Sequence, residues 1–426
     1  MFPSRIPLLL ARSPWDLDLD FAKQQYSLLG NSGAFSSFVA FTRASSATKY
    51  GPSGLLETVP TNIPCFSYDR ATLKSLGLQA EEARTNLQTR SQTYASWRTA
   101  TLYGTLSPTA DYGLDGTLTA ARMTEDTTAT AGRYALGPAT MSFTAGTQYV
   151  VWSVFKAGVG GATRYPGFVM QPAAFGSLVA CAYDLSGAGS YNISSTGTNT
   201  SAGIIALGNG WYLCWLSSQA TASATTDIQY RMSNTSAAAA SYTGDGVSNL
   251  VMWGGGVETG FFPTSYIPTA AAAVTRAAVV TSMPATLGTS RGIVVSGRTA
   301  MGPGTQTILS LDDGTANERI HIQRQSDRTL HAIVVDGGVT QADLNLGAVA
   351  DQTDFRLALS VAANDFRASL LGGAVVSDTA GTLPTITTRR FGHNYAGLNH
   401  WNSTISRVIE TGSPLSNSAL MRLSLP

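Results

Sequence analysis

The segment 288–292 reads GTSRG and is, by spelling, the chain's nearest match to a catalytic motif. In a nucleophile elbow of this form a strand precedes the serine and a helix follows it, which lifts the hydroxyl on a strained turn. The residues that follow here read IVVSGRTA, and β-branched residues at this density are typical of a strand. We therefore interpret the segment as a polar turn that leads into a strand.

Metal-ligating side chains are few and scattered along the chain. The histidines show neither HExxH nor His-x-His spacing, and they are His321, His331, His393 and His400. The cysteines are too widely spaced for a zinc site or a disulfide framework, and they are Cys65, Cys181 and Cys214. We expect no metal cofactor from either set.

Two acidic pairs invite a glycosidase interpretation. Glu81 and Glu82 are adjacent, as are Asp312 and Asp313, and two carboxylates roughly 5 to 10 Å apart can cleave a glycosidic bond. Neighbouring residues on a strand point to opposite faces, so neither pair forms a natural acid and nucleophile couple. The LDDGT text at 311–315 is typical of a turn, and calcium bound there is the one cofactor alternative left open. We predict a protein that is not an enzyme and holds no cofactor.

The segment 391–404, FGHNYAGLNHWNST, is the best candidate for ligand recognition. Aromatic rings stack on sugar faces, and Asn, Asp and Arg side chains bind sugar hydroxyls. Two glycines give the segment the flexible joints of a functional loop. In the alternative, the Tyr and Trp belong to a sandwich core and the asparagines make turns. The glycan-binding candidates are His393, Asn394, Tyr395, Asn399, His400 and Trp401.

Composition and charge exclude several classes of partner. The chain of 426 residues has a net charge of +1, so no global field attracts nucleic acid or an anionic membrane. Charged residues make up 12% of the chain, about half the ordinary share of roughly 25%. The apolar run IPLLLA near the N-terminus is shorter than the core of a signal peptide or a membrane span. We expect a soluble protein, made in a cytoplasm, without membrane insertion.

Strand signals dominate the chain, and helical periodicity is scarce. Short β-branched or aromatic runs lie at 148–158, 210–223, 291–300, 328–338, 354–365 and 401–411. Runs at this spacing predict β-sandwiches or barrels, and hence the all-β class. Composition then divides the chain into an irregular segment at 1–85, a β-domain at 86–270, an Ala-rich linker at 271–290 and a second β-domain at 291–426.

The stretch 77–97, GLQAEEARTNLQTRSQTYASW, carries a resemblance to a modular group of tailed-bacteriophage virion proteins, often tail fibres or other appendage components. The likeness begins with LDLDF and continues through FTRASSATKYGPSGLLETVPTNIPCFSYDRAT. Cys65 stands where the group has Arg, and Gln-Ala replaces an apolar pair at 79–80. The resemblance implies that three residues are structural, at a junction between modules: Glu82, Arg84 and Asn86.

Two further segments resemble domains of the same group. MWGGGVETGFFPTSYIPTAAAAVTRAA at 252–278 resembles the closing segment of a jelly-roll, carbohydrate-binding-like module. LNHWNSTISRVIETGSPLSNSALMRLS near the C-terminus is similar to the last strand and tail of a concanavalin A-like, laminin G-like sandwich. The resemblance implies two β-sandwich domains, a jelly roll at 86–270 and a concanavalin A-like domain at 291–426.

These likenesses imply a virion structural protein, assembled in the bacterial cytoplasm, that recognises host surface glycan without cleaving it. Two alternatives stay open, namely a head or tail decoration protein with no sugar binding and a tail-associated polysaccharide depolymerase. Low charge and many strand edges favour a homo-oligomer. The resemblance, rather than the composition, implies a trimer.

The N-terminal text PSRIPLLLARSPWDLDLDF predicts attachment to other virion proteins. Its apolar residues stand among Pro and Asp without the alternation needed to close a sandwich, so we expect it to order against a partner. In the alternative it folds back onto the jelly roll of its own chain. The attachment candidates are Ile6, Leu8, Leu9, Leu10 and Trp15.

Overall fold

The computed structural model describes residues 15–99, 101–130, 132–238, 240–288 and 290–426. Four of the attachment candidates, Ile6, Leu8, Leu9 and Leu10, lie outside the described residues. The helices are short: α1 (Phe35–Phe38), α2 (Pro172–Phe175) and α3 (Asn417–Leu423), with a 3-10 turn at Tyr94–Ser96.

Strands account for most of the regular structure, which confirms the all-β class. In chain order they are β1 (Leu17–Asp20), β2 (Gln25–Leu28), β3 (Asn31–Gly33), β4 (Ala40–Thr42), β5 (Ala47–Tyr50), β6 (Leu56–Val59), β7 (Phe66–Tyr68), β8 (Ser75–Ala80), β9 (Arg84–Asn86), β10 (Gly104–Asp111), β11 (Ala120–Glu125), β12 (Ala129–Thr130), β13 (Arg133–Leu136), β14 (Met141–Phe143), β15 (Gln148–Ala157), β16 (Tyr165–Met170), β17 (Val179–Asp184), β18 (Ser190–Ser195), β19 (Thr198–Ala206), β20 (Trp211–Gln219), β21 (Ala224–Thr226), β22 (Ile228–Ser233), β23 (Tyr242–Thr243), β24 (Asn249–Thr259), β25 (Val274–Arg276), β26 (Val280–Pro284), β27 (Arg291–Arg298), β28 (Gln306–Asp312), β29 (Arg319–Arg324), β30 (Thr329–Asp336), β31 (Val339–Ala348), β32 (Asp354–Ala362), β33 (Asp365–Leu370), β34 (Val376–Asp378), β35 (Thr388–Phe391) and β36 (Ser403–Thr411).

The chain forms two compact units, and each is discontinuous in sequence. The first unit contains 15–42, Ser75–Glu81 and Val279–Pro426, and the second contains Arg43–Lys74 and Glu82–Ala278. This division differs from the linear one expected from composition. Residues 1–85 do not form a module of their own, because their described strands are shared between the two units. The expected linker at 271–290 contains β25, which pairs with β9, and β26, which pairs with β4 and β35.

The second unit is a sandwich of two antiparallel sheets. One has the order β10-β11-β24-β15-β20-β19, and the other has the order β13-β22-β16-β17-β18. Side chains alternate along β15, so Tyr149, Val151 and Phe155 enter the main core while Trp152 and Val154 enter a second cluster on the opposite face. Burial on both faces explains why this strand reads as an almost continuous apolar run.

Three polar residues at the point where the chain returns to the second unit bind their own chain. Asn86 is fully buried, and its Nδ2 donates to the carbonyls of Gly255 (3.1 Å) and Ile267 (2.8 Å). Arg84 donates from Nε to Glu82 Oε1 at 2.6 Å. These contacts anchor β9 beside β24, immediately after the chain returns to the unit at Glu82.

The first unit contains two antiparallel sheets. One has the order β3-β2-β1-β36-β27-β32-β33-β34, with β8 also paired to β36, and the other has the order β31-β30-β29-β28-β35-β26-β4. Alternation along β27 directs Ile293 and Val295 to one face and Val294 to the other, and all three are buried. The ring of Phe21, which follows β1, lies 5.8 Å from that of Phe391 in β35.

The N-terminal strand, β1, pairs within the first unit and does not need another protein for its hydrogen bonds. β1 pairs with β36 in a register that sets Leu17 opposite Glu410 and Asp20 opposite Arg407. Arg407 holds the strand further through two hydrogen bonds to Asp18, of 2.8 and 2.7 Å. For the described part of the segment, the expectation of an open, partner-seeking N-terminus is therefore corrected. The backbone of β1 obtains its hydrogen bonds from its own chain.

Trp15 is likewise engaged within the first unit. Its ring packs against a cluster formed by Val294, Ala358 and Ile409, which Leu420 of α3 also covers. Ser416 caps that helix, since its Oγ accepts from the Ala419 N–H at 3.3 Å. Trp15 is half-buried. The apolar contact that the sequence analysis expected it to make with another virion protein is made within its own unit.

Candidate functional site

The loop at 391–404 buries half of the predicted glycan-binding residues. His393 has no exposed surface, and its Nε2 accepts from the Thr281 N–H (2.9 Å) while Nδ1 donates to the Asn394 carbonyl (2.8 Å). Burial lowers the pKa of His393, so the ring is a neutral structural group. His400 is 5% exposed and donates from Nε2 to the Val279 carbonyl at 3.0 Å.

Trp401 is also an interior residue. It has no exposed surface, its Nε1 donates to the Arg298 carbonyl at 2.9 Å, and its ring lies 5.7 Å from that of Phe355. A ring in this position cannot stack on a sugar. The assignment of His393, His400 and Trp401 to glycan binding is therefore corrected, because all three are used to fix the loop to the sandwich.

The other three candidates lie at the surface. Asn394 shapes the loop, since its Oδ1 accepts from the N–H groups of Ala396 (3.0 Å) and Leu398 (2.9 Å). Asn399 is exposed and adopts a left-handed backbone conformation (φ 53°), which asparagine tolerates better than most residues. Tyr395 is half-buried, and the guanidinium carbon of Arg319 lies 5.9 Å from the centre of its ring. Tyr395 thus joins the loop to the neighbouring sheet.

The sheet beside this loop presents a row of polar side chains. On β29 the isoleucines at 320 and 322 are buried in the core, so Arg319 and His321 point to the opposite face. The register sets His321 opposite Ser310, and Ser310 opposite Arg390 of β35. We call this set the Arg319 surface, and its members are Ser310, Asp312, Arg319, His321, Arg390 and Tyr395.

Asp312 is the buried anion of the Arg319 surface. It has no exposed surface and accepts from Arg390 Nε at 3.1 Å to each carboxylate oxygen. Ser310 Oγ (2.8 Å) and the Gly314 N–H (3.0 Å) supply two more donors. A buried carboxylate is stable only when it is paired in this way. Asp312 therefore neutralises the charge of Arg390.

His321 has an unused hydrogen-bond donor. The residue is 7% exposed, and its Nδ1 accepts from Arg319 Nε at 3.1 Å, which leaves the ring proton on Nε2. Among the residues that the structure describes, Nε2 has no hydrogen-bond partner. Burial and the neighbouring Arg319 lower the pKa of His321 to about 3, so the ring stays neutral. A buried donor without a partner costs about 1–3 kcal/mol.

Arg319 keeps both terminal nitrogens free. Its one hydrogen bond within the described chain is the Nε contact to His321, and no described carboxylate lies within ion-pair distance. The Tyr395 ring on one side and His321 at Nε restrict the plane of the guanidinium. The surface therefore holds oriented donors, one uncompensated positive charge and an aromatic ring in one place, which suits an oxygen-rich ligand.

The second unit has a comparable but more occupied arrangement. On β22 the guanidinium of Arg231 lies 5.0 Å from the centre of the Tyr134 ring, and its Nε donates to Gln229 Oε1 at 2.8 Å. The residue is 7% exposed, and burial lowers its pKa. Because the side chain already binds an acceptor in its own strand, it offers less to a ligand than Arg319 does.

The other chemical candidates are engaged within the chain. Asp313 closes a turn by accepting from the N–H and hydroxyl of Thr315 (2.8 and 2.7 Å). No group of three or more potential metal ligands comes together in the described ranges. The GTSRG text leads directly into β27, so the helix that a nucleophile elbow needs is replaced by a strand. No helix in the described part of the chain has the length and apolar character to cross a membrane.

A cavity of about 60 Å³ lies in the second unit between β5, β6 and the segment that leads to β25. Thr48, Tyr266 and Arg276 are among its lining residues. A volume of this size holds a water molecule or two rather than a sugar ring. It does not compete with the Arg319 surface as a ligand site.

The sequence analysis missed most of the Arg319 surface. Asp312 was considered only within an acidic pair, and Arg319 and Arg390 were not considered. The alternation in RIHIQR at 319–324 was an available signal, because it places Arg and His on one strand face and two isoleucines on the other.

Comparison with known proteins does not assign the chain to a family. No protein-family model matches the chain, and no curated protein matches it. Among solved structures, the sialidase CBM40 of Ruminococcus gnavus bound to alpha2,3 sialyllactose is 16% identical over 32% of this chain and 82% of its own, with a TM-score of 0.29.

Two further solved structures have similar scores. Domain 4 of an extracellular arabinanase from Geobacillus stearothermophilus, in complex with arabinotriose, is 13% identical over 38% of this chain and 82% of its own, with a TM-score of 0.30. Sheep galectin-11 in complex with glycerol is 14% identical over 30% of this chain and 95% of its own, with a TM-score of 0.23. These scores are too low to assign a family.

Proposed function

We propose that this protein binds glycan through the Arg319 surface and does not cleave it. The observation that carries the proposal is a set of donors without partners among the described residues, namely the terminal nitrogens of Arg319 and the Nε2–H of His321, beside the Tyr395 ring. Sugars combine an apolar ring face with several hydroxyl acceptors. A tyrosine next to fixed donors matches both properties.

The non-catalytic part of the proposal is supported by the state of the acidic side chains. Asp312 is buried under Arg390, and Asp313 closes a turn. Glu82 binds Arg84, and Glu81 accepts from Gln79 Nε2 at 2.6 Å. A glycosidase needs one carboxyl group free to donate a proton and a second one facing it across the substrate. Neither pair is arranged for that chemistry.

The resemblance to tailed-bacteriophage virion proteins supports a more specific role. We propose that the chain is a component of a virion appendage, such as a tail fibre, and that its glycan lies on the host surface. A single shallow sugar site binds weakly, and several copies on one particle, as in a trimer, would supply avidity. Other virion proteins would then be its remaining partners, with residues 1–14 as the candidate attachment segment.

A binding experiment tests the proposal on the full chain. We would screen the purified protein against a glycan array and against polysaccharide extracted from host cells, and compare wild type with Arg319→Ala. Arg328→Ala is the matched control, because it removes an equally charged side chain that is 44% exposed and paired with Asp351 elsewhere in the same unit. We expect Arg319→Ala to lose binding and Arg328→Ala to keep it.

The same samples separate the rival functions. Release of reducing ends from the polysaccharide by the wild-type protein would favour the depolymerase and contradict the proposal. Absence of binding to every glycan, with normal incorporation into particles, would favour a decoration protein. Equal binding by both variants would show that the glycan site is not the Arg319 surface.

A further inference from the structure

We propose that the Arg319 surface selects glycans that carry a carboxylate, such as uronic-acid polymers. This inference rests on the glycan-binding function proposed above and concerns the chemical class of the ligand. It is motivated by the difference between the two arginines of the surface. One is paired with a buried carboxylate and the other is not.

Arg390 cannot supply the charge that an acidic ligand would need. Its Nε lies 3.1 Å from both oxygens of Asp312, and Asp312 is fully buried beneath it. The pair is close to neutral when viewed from the ligand side. Arg390 therefore contributes structure, and its ion pair keeps Asp312 from repelling an anion.

Arg319 supplies one uncompensated charge in a restricted orientation. Its Nε is directed at His321 Nδ1 (3.1 Å), and the Tyr395 ring lies 5.9 Å from its guanidinium carbon. With Nε used, Nη1 and Nη2 form a planar fork that matches the two oxygens of a carboxylate. A guanidinium whose orientation is already limited loses less entropy when it binds.

His321 adds a second, independent indication of a ligand. The residue is 7% exposed, and Nε2 has no partner within the described chain. Proteins rarely leave a buried donor unsatisfied unless a ligand or an ordered water completes it. The ring is on the same strand face as Arg319, two residues away, so this donor lies beside the guanidinium of Arg319.

One net positive charge suits a ligand group with one negative charge. A phosphate monoester carries close to two negative charges at neutral pH, so two free cationic side chains would be needed to neutralise it. The Tyr395 ring offers the apolar contact that a pyranose ring needs. A carboxylate attached to a sugar ring meets both conditions.

The test uses two ligands that differ only at the carboxyl group. We would measure Kd by calorimetry for a galacturonic acid trimer and for the galactose trimer made from it by carboxyl reduction. Wild type is expected to bind the acidic trimer about 10- to 100-fold more tightly, which is the usual range for a charge-assisted bidentate contact. Arg319→Gln should lose that preference, Arg319→Lys should keep only part of it, and Arg328→Ala should keep all of it.

A direct readout guards against variants that merely misfold. In the wild-type protein with labelled histidine, the Nε2–H signal of His321 should shift on addition of the acidic trimer and stay unchanged with the reduced one. Melting temperatures of all variants should agree within a few degrees.

The outcomes distinguish this inference from the proposed function. If both trimers bind equally and Arg319→Gln weakens both, glycan binding at this surface stands and carboxylate selection is wrong. If a sulphated galactose trimer binds more tightly than the acidic trimer, the ligand class is wrong. If neither trimer binds, and the glycan array detects only neutral sugars that bind Arg319→Gln and wild type alike, both the inference and the site are wrong.

Discussion

Asn86 offers the sharpest test of how the second unit is held together. Its side chain makes four hydrogen bonds while fully buried, donating to the carbonyls of Gly255 and Ile267 and accepting from the N–H groups of Gln88 (3.0 Å) and Val257 (3.2 Å). Asn86→Ala removes all four at once. Every backbone partner that loses its contact would then remain in the interior.

The magnitude follows from those four partners. A buried polar group left without a hydrogen bond costs about 1–3 kcal/mol, and the new cavity has room for a water molecule that restores some of the contacts. We therefore expect a loss of about 3–4 kcal/mol in the free energy of unfolding of the second unit. Against a typical total of about 5–15 kcal/mol this is a large fraction. Asn86→Asp should cost at least as much at neutral pH, because it replaces two donors with a negative charge that faces two carbonyls.

Urea denaturation monitored by tryptophan fluorescence measures this change. Of the seven tryptophans only Trp15 and Trp401 belong to the first unit, so the signal reports mainly the second. Asn192→Ala is the matched control, because this exposed residue donates once, to the Ser236 carbonyl at 2.9 Å. The control should change stability by less than about 0.5 kcal/mol. A loss of under 1 kcal/mol for Asn86→Ala would refute the claim that this residue anchors β9 to β24.

Three further predictions concern the first unit. Trp401→Phe removes the hydrogen bond to the Arg298 carbonyl and should destabilise this unit by about 2 kcal/mol in thermal unfolding, while glycan affinity, measured by calorimetry, stays within twofold. The pKa of His321 is lowered by burial to about 3, so between pH 6.5 and 3 the unfolded chain binds an extra proton and the free energy of unfolding falls as pH falls. In urea denaturation at pH 7 and at pH 5, His321→Asn should remove on the order of 1–2 kcal/mol of this fall. The same fall in the variant as in wild type would contradict the prediction. Deletion of residues 2–14 retains Trp15 and also β1, which begins at Leu17, so the protein should stay folded by circular dichroism but fail to enter particles in a complementation assay, and normal incorporation would show that attachment lies elsewhere.

Local sequence determined the strands with good accuracy. The run at 148–158 became β15, that at 291–300 became β27, and that at 401–411 became β36. β-Branched and aromatic residues favour extended backbone wherever they occur in such density, so this information is contained in about ten neighbouring residues. The scarcity of helix was determined in the same way.

Tertiary structure alone decided the partners of those strands and the faces they bury. β1 pairs with β36, although nearly the whole length of the sequence separates the two strands. The alternation of apolar and polar residues predicts a strand but does not determine which strand it pairs with. His393, His400 and Trp401 read as a polar and aromatic loop, yet they are interior groups because other segments of the first unit cover them. The Arg319 surface arises from the opposite effect, since three separate strands bring Arg319, Asp312 and Arg390 into register on one face. Burial and register are properties of the assembled sheets, and no window of sequence contains them.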